Sequence, residues 1–301
     1  MHRAAWLAQH TNAELNLLVC FYNEYLSGER FFDGPSLEQA RVEVVDRNGK
    51  YLEDLAQPLR SAGITVNTKV VWDHPLYAGI VRYAQSIKAD LVFKDTHHHS
   101  VIERALLTNT DWNLIRTCPL PLWLVKARDL KQTPLIIASI DPTHQNDKPA
   151  SLDDCILAIS SMIAQKTNSD VHAFHAYDPR IALATATANA YIPTSLPYDE
   201  IERDMREQHG RRFDEVVAFH EFSEDHKHLI SGATHEELPE IARKLNADVV
   251  VMGAIARNKW KRLFVGATAE RTLEHLPCDC LVVKPDWFET PVESAVEDAA
   301  A

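Results

Sequence analysis

The segment from Met252 to Lys284, MGAIARNKWKRLFVGATAERTLEHLPCDCLVVK, carries the residues best suited to chemistry. A strand pattern ends at Met252, and Gly253 turns the chain. Arg257, Lys259, Lys261 and Arg262 follow, and then Gly266-Ala267-Thr268 opens a helical pattern. Glycine lets backbone approach a ligand closely. A helix start offers unpaired N–H groups and a positive dipole end, which suits an anion. Four basic side chains ahead of that end favour phosphate. They also read as an ordinary solvated loop, and the residues alone leave both readings standing. Asp141, at the end of an earlier apolar run, can take a ribose hydroxyl or a metal, or can simply cap a turn.

Other sets are weaker. His97-His98-His99 are consecutive, so they do not converge on one ion without further ligands and read as a solvated loop. Cys278-x-Cys280 opens a strand and reads as structure rather than as a redox pair or zinc site. Trp72, Trp112 and Trp123 read as packing residues rather than stacking platforms. No nucleophile–base–orienter set stands out, so the chain reads as a binding protein and not as an enzyme.

The elements that must position these residues alternate. Leu135–Ile140 is a short apolar run ending at Asp141, and predicts a buried strand. Ser151–Asn168 predicts a helix and Val171–Tyr177 a second strand. Asp199–Val217 is a charged helix and His226–Ile230 a weak third strand. Helix Glu236–Leu245, strand Val249–Met252, helix Ala267–His275 and strand Cys280–Lys284 complete the series. Strands alternating with helices imply βαβ crossovers and a parallel sheet.

The same order occurs earlier in the chain. Ala89-Asp90-Leu91-Val92 recurs as Ala247-Asp248-Val249-Val250, and the same offset pairs Pro119 with Pro277 and Leu124-Val125-Lys126 with Val282-Val283-Lys284. Ala8-Gln9-His10-Thr11-Asn12 recurs as Ala164-Gln165-Lys166-Thr167-Asn168, two positions out of step through a loop indel. The first copy predicts strands at Leu15–Phe21, Ile64–Trp72, Leu91–Lys94 and Leu122–Lys126. Its helices fall at Met1–His10, Leu37–Ser61, Leu76–Lys88 and Ile102–Arg116. One α/β domain is thus used twice: 1–126, a linker at 127–134, 135–284, and an acidic tail at 285–301 read as disordered. The Pro-punctuated stretch 178–197 is long for a loop and reads as a lid.

The 301 residues carry a net charge of −12. That balance argues against a nucleic-acid polyanion as partner, since such binding needs clustered Lys and Arg. No run approaches the roughly 20 apolar residues of a membrane span, and MHRAAWLAQH lacks a signal-peptide core. The odd count of five cysteines, mostly in apolar runs, predicts free thiols and a cytoplasmic location.

Taken together, the element order, the Asp after the first strand and the glycine loop resemble the universal stress protein family. ATP-binding members carry Gly-x2-Gly-x9-Gly-Ser/Thr. The tandem E type of that family is resembled further in Val70-Val71-Trp72, Thr110-Asp111-Trp112, Cys118-Pro119, Lys284-Pro285-Asp286 and Thr290-Pro291-Val292-Glu293, which together span nearly the whole chain. The resemblance implies two Rossmann-like domains, each with a parallel sheet in order 3-2-1-4-5 and helices on both faces. It also implies a cytoplasmic role in stress endurance, including resistance to DNA-damaging agents, exercised by binding and not by turnover. ATP in the second domain is the cofactor so implied. Its carriers are Asp141 for the ribose or a metal, Ala176 toward the base, Gly253 and Ala256 through backbone, Arg257 by charge, and Gly266, Ala267 and Thr268 for phosphate.

Two departures qualify this. The loop reads Gly253-x2-Ala256-x9-Gly266-Ala267, with Thr268 one place late. In the first copy the aligned positions are Asp95, His98, Thr108 and Asn109, so no glycine remains and Asp95 repels phosphate. Only the second copy is a candidate nucleotide site. The first copy also has no counterpart of strand Leu135–Ile140, the centre of the family's sheet. Truncation of the chain by about 20 residues is the expectation, against a rearranged sheet with the flanking strands paired directly. The competing functions are a nucleotide hydrolase on the same scaffold, or a docking protein taking protein partners or an apolar ligand without nucleotide. The expected assembly is a monomer acting as an internal pseudo-dimer, or a homodimer.

Overall fold

A computed structural model describes residues 1–27, 35–96, 107–131, 133–143, 150–181, 184, 198–220, 222–254 and 266–293. The chain forms two compact units. One is Met1–Val92 with Asn109–Pro119 and Glu289–Ala301, the other Phe93–Thr108 with Leu120–Phe288.

In the first unit, β1 (Leu15–Phe21) and β2 (Val66–Trp72) pair in parallel from Leu15 against Val66 to Phe21 against Trp72. Helices His2–Thr11 and Pro35–Ser61 supply Ala5, Ala8 and Ala56 to a small core, where they meet Ile64, Val66 and Leu17. Among the described residues β1 has one strand neighbour, and every residue along it is only half-buried.

The larger unit is built on a seven-stranded sheet. Its strands are β3 (Val92–Asp95), β4 (Leu122–Val125), β5 (Leu135–Ser139), β6 (Asp170–Tyr177), β7 (Lys227–Ser231), β8 (Val249–Gly253) and β9 (Asp279–Val283). Their order is β3-β4-β9-β8-β5-β6-β7. Read within the second repeat, β7-β6-β5-β8-β9 is the expected 3-2-1-4-5, parallel throughout. Strands β8 and β9 are buried along their whole length, as continuous apolar runs in a parallel sheet covered on both faces should be. Helix Ala150–Thr167 lays Leu152, Ile156, Leu157, Ser160 and Ile163 inward at helical spacing.

The first repeat's strands divide. β1 and β2 stand as their own sheet, while β3 and β4 continue the larger one. The division falls where that repeat's first strand would pair. Among the described residues no ladder pairs β1 directly with β3, as the rearranged alternative would have it. The larger sheet becomes mixed at β4, which runs antiparallel to β9 with Trp123 opposite Leu281. Buried Asp279 clamps this seam, accepting from Trp123 Nε1 at 3.0 Å and from the Lys126 backbone N–H at 2.9 Å.

The repeat is written in the backbone as well. Asn12 and Asn168 both close helices in the left-handed region, at φ 55° and 53°. The following residues, Ala13 and Ser169, each donate back five positions, to Ala8 and Ala164, at 3.1 Å. Lys88 and Asn246 repeat the device at φ 52° and 50°. Asparagine tolerates this conformation better than most residues. Lys88 shows that the turn geometry outlasts the residue type.

Candidate functional site

In open α/β sheets a crevice forms at the carboxyl ends of the strands where the strand order reverses. Here the chain runs outward from β5 to β6 and β7, then returns to β5's other side for β8 and β9, so the reversal lies between β5 and β8. Ser139 pairs with Phe174 on one side and with Met252 on the other. Asp141 follows Ser139 by two residues, Ala176 follows Phe174 by two and Gly253 follows Met252 by one, so these three strand ends named from the sequence all lie just past paired positions at the carboxyl edge of the sheet.

Each is held for a local reason. The Asp141 backbone N–H donates to Asp153 Oδ1 at 3.0 Å, and the Asp141 carboxylate accepts from Thr143 Oγ1 at 3.2 Å. Asp153 sits in the first turn of helix Ala150–Thr167 and is 1% exposed, so a buried carboxylate ties the end of β5 to the start of that helix. Ala176 is half-buried near the end of β6. Gly253 has a packing reason to be glycine, because a Cβ there would lie 2.5 Å from Leu152 Cδ2. Just beyond it, the Ala254 carbonyl accepts from Lys284 Nζ, whose cation also lies 4.9 Å from the centre of the Phe288 ring.

Gly266 is the N-cap of helix Ala267–His275, at φ −61° and ψ 142°. That is extended backbone open to any residue, so local conformation does not demand this glycine. Its cap carries no side-chain hydrogen bond, and the first-turn amides of Ala267 and Thr268 have no intrahelical acceptor. Ala267 is exposed and Thr268 half-buried. Ala256 and Arg257, with Lys259, Lys261, Arg262 and His97–His99, lie outside the described residues, as does most of the 178–197 stretch.

The sequence reading missed a histidine pair beneath Asp141. His175 Nε2 lies 2.7 Å from His209 Nδ1, and His175 Nδ1 lies 3.2 Å from the Ile140 carbonyl oxygen. The carbonyl can only accept. His175 therefore carries its proton on Nδ1, and its Nε2 accepts from His209 Nδ1–H. The His209 imidazole is held below the usual histidine range, chiefly by burial, with the Asp141 charge opposing. The Tyr177 ring lies 5.1 Å from that of His209, and its buried hydroxyl has no hydrogen-bond partner among the described residues. Period-2 alternation along β6 places His175 and Tyr177 on one face, which was readable. Their meeting with His209 depends on how helix Tyr198–Val217 packs.

The remaining sequence candidates are structural. Cys278 and Cys280 are buried, and burial pushes the Cys278 thiol up to about 12 and Cys280 higher still, which suits inert core thiols. Trp123 is fully buried and stacks on Phe93. Trp72 meets Phe21 edge to face.

A parallel sheet wound in both directions from β5, with its crevice at Asp141 and the end of β8, defines a Rossmann-like α/β domain. The chain belongs to the universal stress protein family, whose model matches residues 1–126 and 156–284. It is similar to universal stress protein E of Escherichia coli K12, 27% identical over 294 residues, covering 97% of this chain and 92% of that protein. The Salmonella typhi protein of the same name is also 27% identical, covering 99% and 93%. Among solved structures, a functionally unknown protein of Pseudomonas aeruginosa PAO1 matches with a TM-score of 0.65 and 27% identity, covering 95% of this chain and 87% of that one. Among the described residues no helix is long and apolar enough to cross a membrane.

Proposed function

We propose that this chain is a cytoplasmic stress-response protein that works by binding, with one adenine-nucleotide site in its second repeat. The observation that carries the reading is the position of Asp141, Ala176 and the end of β8 at the carboxyl edge of the sheet, at its reversal point. Asp141 takes the ribose hydroxyls, Ala176 faces the base, and Gly253 and Ala256 offer backbone. Gly266, Ala267 and Thr268 present helix-start amides to phosphate, and Arg257 adds charge. Gly266 supports this, since its extended backbone gives no conformational reason for glycine. The departures at Ala256 and Ala267 argue for weak binding. The names of the similar proteins support a part in stress endurance.

Calorimetry with ATP on the full chain tests the site. Gly266→Asp sets a carboxylate and a Cβ against the phosphate, and should abolish binding. Equal affinity in that variant refutes the assignment. A steady-state assay of nucleotide turnover separates binding from hydrolysis, and sustained release of phosphate would favour the hydrolase reading.

A further inference from the structure

The opposite ends of β6 and β7 carry a second cluster, far in chain topology from the crevice because it lies at the strands' amino ends. Asp170 and His172 open β6, and His226 closes the short helical turn Glu224–His226 that leads into β7. Their ligand atoms all lie within 4.8 Å of one another. Asp170 faces an imidazole with each oxygen. Its Oδ2 is 3.4 Å from His172 Nε2, and its Oδ1 is 3.6 Å from His226 Nδ1.

These spacings suit two readings. The His172–Asp170 contact is a long hydrogen bond, where such bonds in proteins close to about 2.7–3.2 Å. Two nitrogen or oxygen ligands on one tetrahedral zinc ion stand about 3.3–3.5 Å apart, given bond lengths of about 2.0–2.2 Å. The Asp170–His172 and Asp170–His226 spacings, each to a different carboxylate oxygen, are close to that edge length, and all three ligand atoms lie within 4.8 Å of one another. The second shell is also in place. His172 Nδ1 lies 2.8 Å from His228 Nε2. A ligating histidine is ordinarily held through its other ring nitrogen, and His172 can donate from Nδ1 to His228 while Nε2 meets the ion.

We infer that Asp170, His172 and His226 form a site for a divalent transition metal, zinc in the first instance, with His228 as the positioning residue behind His172. Two imidazoles and one carboxylate suit zinc and its neighbours rather than calcium or magnesium, which take oxygen ligands. Three protein ligands leave a fourth position open to water. The ion would tie the start of β6 to the turn before β7, the outer strand of the sheet.

The test is equilibrium dialysis of the full chain against zinc chloride, and separately cobalt chloride, with cobalt's visible absorption reporting a low-coordinate nitrogen and oxygen site. Wild type should bind one equivalent. His226→Ala and Asp170→Asn should each lose it, both with unchanged circular dichroism, since neither side chain is buried. His228→Gln should weaken binding by about 10–100-fold, as loss of a second-shell partner does. Simultaneous replacement of His97, His98 and His99 by Ala should leave the equivalent intact. The inference is overturned if wild type binds no zinc and no cobalt, if Asp170→Asn and His226→Ala bind as wild type does, or if the His97–His99 variant alone loses the ion.

Discussion

Strands β1 and β5 are both apolar, LNLLVCF and LIIAS, yet they meet different fates. β5 has β6 on one side and β8 on the other, and all but its first residue are buried. β1 has β2 on one side among the described residues, and none of its residues is fully buried. Composition did not set the difference, because both runs have enough apolar surface. What differs is the number of neighbours, and with them the amount of backbone paired and side chain covered. The candidate nucleotide site belongs to the repeat with the complete sheet, where the reversal point exists. In the first repeat the strands divide at that position, and the loop equivalent to Gly253 begins at Asp95.

The largest effect expected from this contrast is in core truncation. Ile137→Ala, fully buried in β5, should cost about 2–5 kcal/mol. Leu17→Ala in half-buried β1 should cost roughly 1 kcal/mol. Urea unfolding of each variant, followed by tryptophan fluorescence and hydrogen exchange of each unit, reads the two values. Equal costs would mean that β1 is better covered than its burial shows.

The next effect concerns glycine, where the same substitution should have opposite signs. Gly253→Ala drives a Cβ against Leu152, and overpacking of this kind costs about 1–3 kcal/mol. Gly49 lies inside helix Pro35–Ser61, and nothing stands within 4 Å of the position a Cβ would take. Gly49→Ala should therefore stabilise by about 0.5–1 kcal/mol through helix propensity. Thermal melts of the two variants check both directions.

The smallest effect is in pH dependence. His209 is held below the ordinary histidine range by burial in the second repeat. As pH falls below about 6.5, the unfolded chain takes up a proton at this position before the folded chain does. Stability is therefore lost as the medium is made more acid. His209→Gln should flatten the stability profile below pH 6.5 relative to wild type, measured by urea midpoints across that range. An unchanged slope would show that other groups dominate there.

Much of this molecule was legible in the sequence. Leu15–Phe21 and Ala267–His275 are read with the bounds they have in the structure, most other boundaries shift by a residue or two, and the helix expected at Ile102–Arg116 is described as Asn109–Thr117. Short apolar runs and helical spacing are local signals, and each βαβ unit is specified within a few dozen residues. The repeat reinforced them, down to the left-handed caps at Asn12 and Asn168. Asp141 and Gly253 could be placed at strand ends by the same logic, and the parallel order then brought them together.

The rest depended on partners distant in sequence. The sequence determined the repeated α/β units, their strand and helix positions, and the absence of family glycines from the first copy. Only the tertiary structure decided that β4 would run antiparallel to β9, through a Trp123–Asp279 bond spanning 156 positions. It alone decided that Gly253 would press on Leu152, and that His175 would find His209. It alone brought His172 and His228, 56 positions apart, within 2.8 Å. Periodicity reports which face a side chain occupies along its own strand. What stands opposite that face is set by strand pairing and helix packing, to which local patterning is blind.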